Sequence, residues 1–287
     1  MSAVLSQLLL GLINGSFYAL LSLGLALIFG LMKIVNFAHG ALYMLGAFAA
    51  WLLYDKAGLG YVPGLLLAPL AIGLLSAGIE IALIRRLRQL DPLYGLLLTF
   101  GLALLIQAAM TLQYGSSGLP YPVPAFLVGA EDLGFMFLPR YRAWVIAVSV
   151  VVCAAVWLVV EKTRLGSTLR AAAENPRLCE AFGVAVPRLI TATYAFGGAL
   201  AAFAGVLAAP IYQVSPLMGA DLIIVVFAVV AVGGLGSIGG SIVTGFALGI
   251  AEGFTKVFYP QASTTVIFVI MALVLLVRPR GLFGRTA

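Results

Sequence analysis

Long apolar runs bounded by Gly, Pro or basic residues set the pattern of this chain. They fall at about 4–30, 40–54, 62–84, 93–113, 143–160, 189–212, 220–234, 237–257 and 262–278. Leu, Ala, Val and Ile fill them as continuous blocks, without the alternating polarity of barrel strands, so the runs predict helices in lipid. A span needs roughly 20 residues. Several runs are shorter, which predicts tilted, broken or partly inserted helices. The expected fold class is all-α: a polytopic transmembrane helical bundle of about eight or nine segments, forming one domain over residues 1–287.

Composition removes the soluble alternative. The chain is 63% hydrophobic and 9% charged, with a mean hydropathy of +1.15, whereas soluble domains carry about 25% charged residues. No soluble fold of this length could bury that much apolar surface. No basic stretch or cleavage site precedes the first run, so no removed signal peptide is expected. The formal charge of +6 does not call for nucleic acid, because the basic residues flank apolar runs and there set topology.

Their placement gives an orientation. Arg85-Arg86-Leu87-Arg88, the stretch Lys162 to Arg188, the tail Arg278 to Arg285, and Lys33 together put 12 of the 16 Lys and Arg on one side if nine segments alternate. Lys56, Arg140, Arg142 and Lys256 fall on the other side. Positively charged loops stay in the cytoplasm. The amino terminus is therefore expected outside and the carboxyl terminus inside. Merging 220–234 with 237–257 would give eight segments and break that parity.

Two loops interrupt the pattern. The outer one, Tyr114 to Arg142, is rich in Pro and Gly. The inner one, about 161–188, is the only long polar stretch: EKTRLGSTLRAAAENPRLCEAFGVAVPR. It reads as two short helices. One covers about Ser167 to Glu174 with Ser167 as N-cap; the second opens at Pro176 and stops at Gly183. An amphipathic pair of this kind suits either the membrane interface or a docking knob for a cytoplasmic partner.

The chemistry-bearing residues are few. Gly234, Gly236 and Gly239 spell GxGxxG, and GLGSIGGS nearly spells a phosphate loop, but Gly240 stands where lysine is needed. No soluble strand–helix alternation surrounds either motif. Spacing gives the better reading: Gly233, Ser237, Ser241, Gly245, Gly249 and Gly253 recur every four residues, a face on which another backbone can approach closely, and Gly11 and Gly15 suit the same role on the first helix. One histidine and two distant cysteines, Cys153 and Cys179, exclude metalloprotease, zinc and nucleophile–base arrangements, so no metal and no catalytic residue is expected. No carboxylate relay of the proton-coupled kind appears. Glu80 reads as interfacial, while Asp221 and Glu252 read either as structural or as part of a pathway.

Lys33, Asn36 and His39 lie three residues apart in LMKIVNFAHGALYMLGAF. One reading is an interfacial turn, with Lys33 snorkelling and Asn36 capping the next helix. The other has Asn36 and His39, with Asn14, lining a path or gate, since polar groups at membrane depth face cavities.

Four blocks carry a family resemblance: NGSFYALLSLGLALIFGLMKIVNFAHGALYMLGAF, DPLYGLLLTFGLALLIQ, LRAAAENPRLCEAFGV and VRPRGLFGR. Together they resemble the H-type (LivH-like) permease subunits of branched-chain amino-acid ABC importers, over nearly the whole chain. That resemblance implies a homologous M-type permease partner, two cytoplasmic ATPases that hold ATP and Mg, and a periplasmic binding protein, all in a bacterial inner membrane. It implies that this chain binds no cofactor of its own. Arg170, Ala171, Glu174, Asn175, Glu180, Ala181 and Gly183 would fall in the segment that seats on the ATPase, although Glu180-Ala181-Phe182-Gly183 departs from the general EAA…G pattern. Leucine, isoleucine and valine would be the default substrates, with urea, short amides and small aromatic acids carried by related importers. A stand-alone secondary transporter or channel is the reading from another class.

Overall fold

The computed structural model describes residues 2–87 and 90–284. Arg88 of the basic cluster and Arg285 of the tail lie outside the described residues. The chain starts with α1 (Ser2–Met32), α2 (Ala38–Asp55) and α3 (Tyr61–Ile79). Helix α3 runs through a π-helical turn, Glu80–Ile84, into a single α-turn, α4 (Arg85–Leu87). Next come α5 (Pro92–Tyr114), a hairpin of β1 (Ala130–Asp132) and β2 (Phe137–Pro139), and α6 (Arg140–Lys162). The polar loop folds as α7 (Arg164–Glu174) and α8 (Pro176–Ala181). Four helices follow it: α9 (Val186–Tyr212), α10 (Met218–Gly233), α11 (Ile238–Phe258) and α12 (Thr265–Val277).

The helix boundaries have local causes. Asp91 caps α5 by accepting the Leu93 amide at 2.9 Å, with Pro92 at the first position, and Gly115 ends that helix at φ 78°. Ser237 caps α11 by accepting the Gly240 amide at 3.2 Å. Between α10 and α11 the chain turns through Gly234 and Gly236, at φ 101° and 83°. Only glycine takes such values without strain. The GxGxxG motif is thus a helix–helix turn. The strand-like run before it is helical.

Among the described residues, six helices are long and apolar enough to cross a membrane: α1 from Val4, α3 continued to Leu87, α5, α6, α9 and α11. Helices α10 and α12, at 16 and 13 residues, are apolar but shorter. The strands depart from an all-helical chain. Pro120, Pro122 and Pro124 deny the loop helical hydrogen bonds, and Gly129 and Gly134 turn it with positive φ. The Asp132 carboxylate accepts the Gly134 amide at 2.8 Å inside that hairpin, and Arg140 pairs with Glu131 at 2.7 Å on its exposed side.

The chain divides into two compact units, 1–23 with 122–156 and 224–287, and 24–121 with 157–223. In the first unit α1 packs on α11 through small residues. A methyl group on Gly245 would sit 2.6 Å from the Ala19 Cα. Methyl groups on Gly249 and Gly253 would meet the backbones of Gly15 and Gln7. Such contact lets backbones touch where side chains would hold them apart. Ser22 donates to the Ser241 carbonyl at 3.2 Å and continues the seam. The tail closes the unit: the amides of Leu282 and Phe283 donate to the carbonyls of Val232 and Gly233 at 2.8 and 3.2 Å.

The second unit is built on α2, α3 and α9. Gly46 lies against the Ala202 backbone and Gly205 against the Tyr43 backbone, so α2 and α9 meet backbone to backbone, while Gly198 of α9 makes room for the Ser76 side chain of α3. At one end, Ile28, Ile34, Ile84 and Tyr194 form a buried cluster, and Ala172, Val186 and Ile190 form another with Leu31 and Met32 at its edge. At the other end, Leu119 and Val214 exchange backbone hydrogen bonds, and Phe48 and Trp51 pack on Tyr114.

Candidate functional site: a buried polar path and a polar loop

The Thr99 hydroxyl braces the break between α1 and α2. Lys33, exposed, turns the chain at φ 54°. Thr99 on α5 then takes over as the backbone partner: its Oγ1 accepts the Phe37 amide at 3.2 Å and lies 3.2 Å from the Val35 carbonyl. The helix-cap position of α2 is Phe37, with no side-chain cap. Asn36 therefore does not cap α2, contrary to one of the two sequence readings. Its side chain points inward instead, because Thr99 already satisfies the broken backbone.

Asn36 is 1% exposed and neither atom of its amide makes a well-formed hydrogen bond. The Tyr194 hydroxyl of α9, likewise buried, is its polar neighbour. His39 is fully buried one helical turn later, its ring beside Gly24, where a methyl group would come within 3.0 Å of Cε1. A buried amide without well-formed hydrogen bonds costs about 1–3 kcal/mol, so keeping Asn36 in this apolar unit lowers stability.

Asn14 has different company. It belongs to the first unit, where its amide reaches both Glu252 carboxylate oxygens at 3.4 Å. The Tyr18 hydroxyl and the Lys256 ammonium each donate to Glu252 at 2.7 Å. Glu252 is thus a buried carboxylate with three donors, held where α1 and α11 touch. Of the six small residues at four-residue spacing, Ser241, Gly245, Gly249 and Gly253 share α11. Ser237 is its cap, and Gly233 ends α10.

The polar loop has a fixed shape. Helix α7 starts at Arg164, earlier than the sequence suggests, and Ser167 lies inside its first turn, donating to the Arg164 carbonyl at 2.8 Å. The reason is Gly166: with no side chain it fits against the Val160 backbone, folding the loop onto the end of α6. Arg170 turns the same way, donating to the Val160 carbonyl at 2.8 Å and lying 3.5 Å from Glu161. Ala172 anchors the other side of α7 on Val186 and Ile190. Asn175 ends α7 and caps α8 by accepting the Leu178 amide at 3.0 Å, and Gly183 ends the pair at φ 84°.

Of the coupling residues the sequence suggests, Ala171, Glu174, Asn175, Glu180, Ala181 and Gly183 are exposed. Sequence reasoning missed two apolar neighbours, Leu178 and Phe182. Phe182 is 81% exposed, and the available signal was that it is the loop's only aromatic residue. It also missed Thr99 and the polar contacts of Glu80. Among the described residues no three His, Cys, Asp or Glu groups gather where a metal could bind, and both cysteines are free.

Apolar helices of spanning length, backbone-close packing and buried polar groups define a multi-pass helical membrane protein. Residues 7–277 match the family model described as branched-chain amino acid transport system / permease component, and the chain belongs to that family. It is 33% identical to the high-affinity branched-chain amino acid transport system permease protein BraD of Pseudomonas aeruginosa, covering 98% of this chain and 96% of that one. It is 29% identical to the LivH permease of Escherichia coli over the same shares. A probable LivH permease of Methanocaldococcus jannaschii is 27% identical over 95% of this chain and 90% of its own. No solved structure matches significantly.

Proposed function

We propose that this chain is a transmembrane permease subunit of an ATP-driven ABC importer that moves branched-chain amino acids across the bacterial inner membrane. The observation that carries the reading is the near full-length similarity to permeases named for that transport. The whole chain acts as one permease domain. It pairs with a homologous M-type permease and receives substrate from a periplasmic binding protein. Two cytoplasmic ATPase subunits bind ATP and Mg and dock on the 161–188 loop, so the chain itself is no enzyme and needs no cofactor.

Nine alternating segments, with the amino terminus outside and the carboxyl terminus in the cytoplasm, fit the contacts within each unit. In the first, the tail after α12 bonds to the end of α10, which supports both ends lying on one side. In the second, the clusters around Ile34, Ile84, Ala172 and Val186 gather segment ends that carry Lys33, Arg85, Arg86, Arg164, Arg170, Arg177 and Arg188. Basic residues of that density mark a cytoplasmic face. ATP-driven closure of the ATPase pair would move α7 and α8 and switch the permease pair between inward and outward access.

The test is recovery of the complex from the host through a tag on this chain. A second permease and two ATPases should copurify, and Glu174→Arg with Phe182→Ala should release the ATPases while the permease pair stays together. A tagged chain that returns no ATPase at any salt concentration overturns the proposal.

A further inference from the structure

Glu80 is fully buried, and it opens the π-helical turn that Arg85 follows. The Arg85 amide donates to the Glu80 carbonyl five residues back, and the Arg85 guanidinium reaches the Glu80 carboxylate at 3.1 Å. Residues five apart stand one above the other only where hydrogen bonds run from i to i+5. On a regular α-helix they point about 140° apart. The π-helical turn therefore brings this ion pair together, and a regular α-turn would carry its two side chains to different sides of the helix.

One side chain from another helix grips both partners. The Thr191 hydroxyl lies 2.6 Å from the Glu80 carboxylate as donor and accepts from Arg85 at 2.7 Å. That same hydroxyl has a second acceptor, the Pro187 carbonyl of its own helix, at 2.9 Å. It can leave Glu80 and remain satisfied. Thr191 follows directly on Ile190, which with Val186 forms the mount on which Ala172 of the polar loop rests. Ala172, Val186 and Ile190 pack as one cluster, so a shift of α7 would press on the helix turn that carries the Thr191 hydroxyl. Beyond it, Ile84 of the π-turn packs with Tyr194, the neighbour of Asn36.

We infer that Glu80, Arg85 and Thr191 are positioning residues forming a register lock, through which movement of the coupling loop switches the π-turn and repacks helices around Asn36. The inference rests on the importer reading above. Glu80 is buried while Arg85 is partly exposed, so the pair adds little stability over apolar packing and is suited to setting one of two arrangements. π-Turns inside helices are found where a helix must change register.

The test uses the copurified complex in liposomes with its binding protein, measuring ATP hydrolysis and labelled leucine uptake on the same sample. Thr191→Val, which removes one hydroxyl and keeps the shape, should lower uptake about tenfold or more while hydrolysis stays within about threefold. Thr191→Ser should restore uptake. Glu80→Gln should reproduce the uncoupling. Should it fail to accumulate, Thr191→Val with its serine rescue still decides. Wild-type uptake in Thr191→Val overturns the lock, and so does a proportional fall of uptake and hydrolysis together. A wild-type complex that contains no ATPase overturns the importer reading instead, and the lock with it.

Discussion

Two buried glutamates, one in each unit, solve the same problem in different ways. Glu252 pairs with Lys256 four residues on, along an uninterrupted α-helix, and is further held by Tyr18 and Asn14. Glu80 pairs with Arg85 five residues on, across a π-turn, and also accepts from Thr191, which has another acceptor to hand. The first arrangement agrees with its helix in any register that keeps α1 against α11. The second depends on a helical irregularity. The difference teaches that a carboxylate buried in a membrane helix is diagnosed by the geometry around it, since burial alone describes both.

The comparison can be broken most forcefully under Glu252. Gly249→Leu would drive a side chain into the Gly15 backbone and should destabilise the protein by about 3 kcal/mol or more. Chain recovered in a single peak from detergent gel filtration at the wild-type yield would show that the seam is not a rigid mount. Next in size, Glu252→Ala removes the carboxylate that Tyr18, Asn14 and the partly buried Lys256 donate to, for about 2–3 kcal/mol. Glu80→Gln keeps an acceptor for Thr191 and should lower thermal stability by about half as much, so the two variants should rank in that order by melting midpoint. Equal shifts would erase the distinction drawn here.

Smaller effects sharpen the picture around the loop. Phe182→Ala should leave the melting midpoint of the chain unchanged and weaken ATPase binding by about 1–3 kcal/mol, as expected for an exposed aromatic anchor. Binding measured on immobilised permease would reveal it. Smallest of all, Lys33→Gly should stabilise the chain by about 1 kcal/mol, because φ 54° is strained for any residue with a Cβ. A fall in midpoint would mean that the lysine side chain contributes more than its backbone costs.

Much of the helical framework is legible in the residues because an apolar run bounded by Gly, Pro or Arg leaves few alternatives in lipid. The runs at 93–113 and 237–257 lie within a residue of α5 and α11 at each end. Four-residue spacing marks small residues on one face of α11, but nothing in the sequence says that the facing helix is α1. The i,i+4 relation of Glu252 and Lys256 can be read directly. That of Glu80 and Arg85 cannot: EIALI is apolar enough to pass for ordinary α-helix, and a five-residue spacing signals no pairing unless the turn is known to be π-helical. The Asn36 environment is hidden for a similar reason. Thr99, more than sixty residues away, accepts the Phe37 amide at the break, while Asn36, to which the local pattern offered a capping role, caps nothing.

The central claim is that this permease moves its substrate only when ATPase partners drive it. The most direct measurement is uptake of labelled leucine into liposomes, comparing the copurified complex with the chain alone. The account expects uptake that needs ATP and the full complex, and none from the single chain under any ion gradient. Accumulation by the chain alone, driven by a proton or sodium gradient, would contradict it.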